Sequence, residues 1–127
     1  MIFADSDVLI DSLRGRQPMT DRIALEIRTA QLATTVVNLF ELLAGAKTEA
    51  ERAKVEKLTR ALTIVPLDET AAREAARIRR ELESAGQTIG MADSLIAGIC
   101  LVNSGILITR NRQHFERVKG LALSVER

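Results

Sequence analysis

The stretch Met1-Ile2-Phe3-Ala4-Asp5-Ser6-Asp7-Val8-Leu9-Ile10-Asp11 decides the fold. Ile2 to Ala4 reads as a short buried strand, and a carboxylate, Asp5, follows it at once. Ser6 or Asp7 then caps a helix whose apolar residues Val8, Leu9, Ile10 and Leu13 share one face, and Gly15 ends it. A strand that feeds straight into a helix is the opening unit of an α/β sheet. In such sheets ligands bind in the crevice beyond the carboxyl ends of the strands. Asp5 therefore stands where chemistry would be placed.

Outward from this stretch the same alternation repeats. Pro18 opens a second helix running to about Ala30, with Ile23, Ile27 and either Ala24 or Ala30 on its inner side. Leu32 to Val36 reads as strand two. Asn38 caps the short apolar helix Leu39 to Ala46, and Glu41, three residues on, completes a capping-box pattern. Thr48 with Glu51 opens a charged helix from Glu49 to Ala61, whose thin inner seam is Ala50, Ala53 or Lys54, Leu58 and Leu62. Strand three spans Leu62 to Val65. Asp68 caps a long helix to Ala85, stopped by Gly86, with Arg73, Arg77, Arg79 and Arg80 on a solvated outer face laced with glutamates. Thr88 or Gly90 starts an apolar helix that ends before Gly105. Ile106 to Thr109 is strand four, Arg110 to His114 a turn or short helix, and Leu121 to Val125 an edge strand. The pattern predicts an α/β fold in three layers, α/β/α, around a mainly parallel sheet of four to five strands.

The totals set bounds. A chain of 127 residues suits one domain, here residues 1–127, and buries about two thirds of its unfolded surface. The net charge of +1 gives no overall basic field, which leaves any nucleic-acid contact to a local patch. With no Trp, no Tyr and Phe only at 3, 40 and 115, a base-stacking platform is missing. The single cysteine, Cys100, lies in an apolar run and reads as a small buried thiol in a reducing compartment. Neither a signal peptide nor a membrane span is legible, so the expected location is the cytoplasm.

Three carboxylates stand out because each is alone in an apolar run: Asp5, Glu41 and Asp93. Singly, each has a structural explanation: a cap, a capping box, a first-turn acid favoured by the helix dipole. Together they occupy the rim side of three different elements. Like charges brought together repel, and a cation relieves them. Oxygen ligands without His or Cys point to Mg²⁺ or Mn²⁺. Asp7 reads as a first-turn acid. His114, beside Phe115, reads as a residue of a surface turn. No glycine-rich phosphate loop or nucleophile elbow is present.

These blocks resemble those of PIN-domain ribonucleases. Ile2-Phe3-Ala4-Asp5-Ser6-Asp7-Val8-Leu9-Ile10 is similar to their opening. Thr35-Val36-Val37-Asn38-Leu39-Phe40-Glu41 is similar to their second block, Met91-Ala92-Asp93-Ser94-Leu95-Ile96-Ala97 to their third, and Leu107-Ile108-Thr109-Arg110-Asn111-Arg112-Gln113-His114-Phe115 to their fourth. At this length the resemblance is to the VapC branch, the toxins of VapBC toxin–antitoxin pairs. It implies a Mg²⁺-dependent (or Mn²⁺-dependent) endoribonuclease, usually a homodimer, acting on RNA of the tRNA or rRNA class and silenced by a VapB-type antitoxin. By position Asp5, Glu41 and Asp93 would be catalytic and hold the metal. Thr109 would position water or ligand. Asn111 falls at the family's fourth acidic position but is an amide, and Asp7 stands where Asn is usual. The implied reaction is in-line attack of water on a phosphodiester, leaving a 3′-hydroxyl and a 5′-phosphate. Arg110, Arg112, Arg117 and Lys119 would steady the RNA backbone. The helices from Pro18 and around Leu39 to Leu43 would line the antitoxin groove.

Two rival readings follow from the same residues. Asp5-Ser6-Asp7 also resembles the Asp-x-Asp motif of haloacid-dehalogenase-like phosphatases, but the Gly-Thr continuation and the later lysine are missing. A PIN fold that has lost catalysis and acts by complex formation alone is the other, with Asn111 its supporting feature.

Overall fold

The computed structural model describes residues 1–29 and 31–124. Ala30, with the end of the expected second helix, and Val125, with the end of the expected edge strand, lie outside the described residues. In chain order the elements are β1 (Ile2–Ala4), α1 (Ser6–Leu13), α2 (Met19–Thr29), β2 (Leu32–Thr35), α3 (Val36–Gly45), α4 (Glu49–Arg60), β3 (Thr63–Val65), α5 (Glu69–Ser84), α6 (Met91–Val102), β4 (Ile106–Ile108), α7 (Arg112–Phe115) and β5 (Ala122–Leu123). The five strands form one sheet in the order β3-β2-β1-β4-β5, every pair parallel. The expected α/β/α architecture is present.

Strand periodicity divides the core in two. Phe3, Ala33, Val65 and Leu107 point to one face of the sheet and pack with Ala71, Ile78 and Leu82 of α5, Ile96, Ala97, Ile99 and Cys100 of α6, and Phe115 of α7. Ala4, Leu32 and Ile108 point to the other face and pack with Val8 and Leu9 of α1, Ile23 of α2, Leu42 of α3 and Val55 of α4. Burial pushes the Cys100 thiol up to about 12, so it is an inert small hydrophobe here. Gly98 lets α6 lie against α5. A Cβ there would stand 2.8 Å from the Ala71 carbonyl oxygen and 2.9 Å from Ala75 Cβ.

The topology positions the site. β1 has β2 on one side and β4 on the other, and the strand order reverses there: β2 and β3 build outward on one side, β4 and β5 on the other. The crevice at such a reversal, beyond the carboxyl ends of the strands, is where α/β sheets bind ligands. Ala4 pairs with Ile108, and the Asp5 backbone N–H donates to the Ile108 carbonyl at 2.9 Å. Asp5 and Thr109 thus emerge side by side at this crevice.

Several local readings are corrected. Asp5 is itself the cap of α1, its carboxylate accepting from the Ser6 N–H at 2.8 Å. Strand two stops at Thr35, because Thr35 and not Asn38 caps α3. The Thr35 hydroxyl accepts from the Asn38 N–H, while Asn38 Oδ1 accepts from the Thr35 N–H, so the capping box is Thr35 with Asn38. Glu41 is left with no capping role. The inner seam of α4 is Val55, Leu58 and Thr59, leading to Leu62; Leu58 and Leu62 are as expected, whereas Ala50, Ala53 and Lys54 are exposed. Ala24 is also exposed, and α2 turns Ile23 and Ile27 inward. The outer face of α5 is as expected: Arg73 pairs with Glu69, Arg77 with Glu74 and Glu81, and Arg79 with Glu83.

Candidate active site

Asp5 is 6 % exposed and accepts three hydrogen bonds. Ser6 N and Asn38 Nδ2 (3.0 Å) donate to Oδ1, and the Thr109 hydroxyl donates to Oδ2 at 2.7 Å. Such donors compensate the desolvation of a buried carboxylate. Asn38 is wholly buried. Its amide nitrogen donates a second time, to the Ser6 hydroxyl at 2.9 Å, and that hydroxyl donates to Glu41 Oε1 at 2.8 Å. On the other side, Thr109 Oγ1 accepts from the Asn111 backbone N–H at 2.9 Å, and Asn111 Nδ2 donates to Asp93 Oδ2 at 3.2 Å.

One continuous hydrogen-bonded chain therefore runs Glu41–Ser6–Asn38–Asp5–Thr109–Asn111–Asp93. It joins all five of the residues singled out from the sequence. They arrive from the ends of β1 and β4, from the second turn of α3, from the first turn of α6 and from the cap position of α7.

The charges interact as the residues' proximity requires. Burial raises the carboxyl pKa of Glu41, and the neighbouring charges of Asp5 and Asp93 raise it further, against a lowering from the Ser6 hydroxyl. Burial also raises Asp93, as does Asp5, while His114 pulls it down. Burial and then the Asp5 charge bring Asp7 to about 6. Its Oδ2 accepts from the Arg110 N–H at 3.0 Å, while its Oδ1 is buried with no partner among the described residues. A cluster of carboxylates that repel one another and carry oxygen donors only is chemically suited to a hard divalent cation. Among the described residues no three of these side chains stand close enough to form a ready-made ligand set.

The expected basic patch is largely drawn onto protein acceptors. Arg110 Nε lies 2.9 Å from Asp11 Oδ2, Arg112 Nε 3.8 Å from Glu116, and Lys119 3.9 Å from Glu81, while Arg117 donates to the Thr88 carbonyl. A groove of about 390 Å³ lies beside the site, lined by Ile10, Leu13, Leu42 and Val55 together with the charged side chains of Arg14, Glu41, Glu51 and Lys54.

Sequence reading passed over three residues at the site. The sequence offers Ser6 and Asn38 as caps, and they prove to be the links between Asp5 and Glu41. For His114 the sequence suggests only a surface turn. Its Nδ1 is 3.0 Å from Asn111 Nδ2 and 3.6 Å from Asp93 Oδ2. The signal available was its spacing: three residues from Asn111 on a helical turn places the two side chains together.

The PIN-domain family model matches residues 2–121. The chain belongs to the PIN-domain family. This PIN domain is 37% identical over 115 residues to Ribonuclease VapC10 of Mycobacterium tuberculosis, covering 91% of this chain and 86% of that protein. It is 29% identical over 121 residues to the tRNA(fMet)-specific endonuclease VapC of Shigella flexneri, covering 92% and 91%. In structure it is similar to DNA-bound VapBC from Salmonella typhimurium, with a TM-score of 0.85, 27% identity and 98% of each chain covered. VapBC2 from Rickettsia felis, bound to a DNA fragment from its promoter, shares the fold at a TM-score of 0.89 and 24% identity, again over 98% of both chains. No helix of this PIN domain among the described residues is long and apolar enough to cross a membrane.

Proposed function

We propose that residues 1–127 form a single PIN domain of the VapC type: a Mg²⁺- or Mn²⁺-dependent endoribonuclease toxin of the cytoplasm, neutralised by a VapB-type antitoxin. One observation carries the reading. The hydrogen-bonded chain from Glu41 through Asp5 to Asp93 gathers three carboxylates at the reversal point of a parallel sheet. The kinship with VapC ribonucleases supports it.

Asp5 and Asp93 would hold the ion, and Glu41 would hold it directly or through water. Mg²⁺ keeps several waters and takes only one or two carboxylates directly, which suits a set that is near but not closed. When bound, the ion neutralises phosphodiester charge and activates a water as nucleophile. The chain's own residues do the rest. Thr109 and Asn38 fix the two oxygens of Asp5. Ser6 orients Glu41, whose carboxyl pKa is raised by burial, which favours exchange of a proton with water.

The groove suits an antitoxin segment. Ile10, Leu13, Leu42 and Val55 offer apolar seats, and Glu41 at its edge would receive a basic side chain. Val36 and Phe40 lie one turn apart on α3, the second 70 % exposed, and support the homodimer implied by the family. The kinship with tRNA-cleaving relatives favours tRNA over rRNA as the substrate class.

The test is cleavage of total cellular RNA by purified protein freed of antitoxin, in Mg²⁺, in Mn²⁺ and in EDTA. Discrete fragments that require metal are expected, with 5′-phosphate ends. Asp5→Ala and Asp93→Asn should each reduce the rate by at least about a hundredfold while circular dichroism stays unchanged. An amide stands at the fourth acidic position, so the second reading is a PIN fold that acts only by binding. Wild-type protein that binds RNA or antitoxin tightly but cleaves nothing in either metal would establish that reading instead.

A further inference from the structure

The chain has a single histidine, and the reaction outlined above gives it no part. Its ring lies on α7, 45 % exposed. Asn111 Nδ2 is 3.0 Å from His114 Nδ1 and also donates to Asp93 Oδ2. A carboxamide nitrogen carries two hydrogens and no usable lone pair. His114 Nδ1 is therefore the acceptor, and the hydrogen of the neutral ring sits on Nε2. Among the described residues none accepts from Nε2. The same amide takes the near oxygen of Asp93, which at 3.6 Å is beyond hydrogen-bond reach of the ring. The ring still acts on Asp93 by proximity, lowering that carboxyl's pKa, while its Nδ1 is met by the amide.

The surroundings give that N–H a use. A phosphodiester approaching three carboxylates is repelled and needs donors. The nearby cations are committed: Arg110 to buried Asp11, Arg112 to Glu116 and the Ser124 carbonyl, Arg117 to the Thr88 carbonyl. A lysine or arginine at position 114 would be drawn onto Asp93. A neutral ring with its near nitrogen occupied would not. On the nuclease reading above, on which this rests, we propose that His114 is a substrate contact: its Nε2–H donates to a non-bridging phosphate oxygen of the RNA, and Asn111 is the positioning residue that fixes the tautomer. The amide at the fourth acidic position thereby acquires a role that an aspartate would reverse. A carboxylate there would accept from Nδ1–H and leave Nε2 without its hydrogen.

Because the histidine is single, nitrogen-15 labelling of histidine reports one ring. At alkaline pH, in EDTA so that no cleavage occurs, the spectrum should show the Nε2–H tautomer. Asn111→Asp should shift it to Nδ1–H. Titration with a short single-stranded RNA oligonucleotide of mixed sequence should move Nε2 more than Nδ1. In metal-supported cleavage, His114→Ala should raise KM about tenfold or more with kcat changed little, as expected for a lost hydrogen bond to a charged group. His114→Gln, whose terminal amide reaches about as far as Nε2, should recover most of that loss. An Nδ1–H tautomer in the wild type, or an unchanged KM in His114→Ala with active wild type, overturns the proposal and leaves the nuclease standing. Wild-type protein that neither binds the oligonucleotide nor cleaves RNA overturns the nuclease and this contact with it.

Discussion

The two helical layers meet the sheet in opposite ways. On one face α5 and α6 approach until Gly98 leaves no room for a methyl group against Ala71 and Ala75. On the other, α1, α3 and α4 stand far enough apart to leave a groove of about 390 Å³ whose walls mix apolar and charged side chains. The site draws from both. Asp93 is anchored in the tight layer, Glu41 in the open one, and Asp5 and Thr109 lie between them on the strand ends. The difference separates rigidity from access: one layer holds the carboxylate geometry, and the other leaves a way in for something that must reach it.

The strongest way to break this comparison is to overfill the tight layer. Gly98→Val is expected to cost about 3 kcal/mol or more and lower the thermal midpoint by roughly 10 °C, since the clashing atoms include the Ala71 carbonyl, which cannot swing aside. Leu42→Ala, on the groove side, should cost about 2 kcal/mol, the low end for a buried leucine, because the space it vacates opens onto the groove. Urea denaturation of both variants measures this. Equal losses would mean that the layers do not differ in compliance.

A smaller effect comes from Asp7, which lies between the layers. Its carboxyl is raised to about 6 in the folded chain. The native state therefore holds a proton between about pH 4 and 6 that the unfolded chain releases, and stability falls as pH rises through that window. Asp7→Asn should flatten the slope and add on the order of 1 kcal/mol at neutral pH, a value reduced for the group's partial contact with solvent. Denaturation midpoints at pH 4 and pH 7 check the sign. A wild-type protein that gains stability across the window would show that the orphaned Oδ1 has found a partner.

Much of this was legible from residues alone. The end of strand one at Ala4, the isolated acids, and the stops at Gly86 and Gly105 are local signals, and they place the sheet and the rim; strand four ends at Ile108, one residue before the expected Thr109. Local rules failed where two of them competed. Thr35 and Asn38 are both good caps, and the β-branched run through Val36 suggested more strand. The chain turned earlier because Thr35 and Asn38 satisfy each other, which leaves Asn38 a spare N–H for Asp5. The partners of the basic residues are hidden from the sequence for a different reason. Whether Arg110 faces RNA or Asp11 depends on a pairing between residues 99 apart, which no local pattern encodes. The place of His114 follows from its helical spacing to Asn111 and not from its neighbour Phe115, which turns into the core.

The order of strands also sets a schedule. β1, near the start of the chain, receives its second neighbour only from β4, and Asp5 meets Thr109 across 104 residues of sequence. Ribosomes deliver residues one after another, and pairing across so long a separation waits for the later partner. The pocket that would hydrolyse RNA is therefore incomplete while the polypeptide is still threading out beside the cell's largest store of RNA. A site assembled in this order stays open until β4 has been made and has paired with β1.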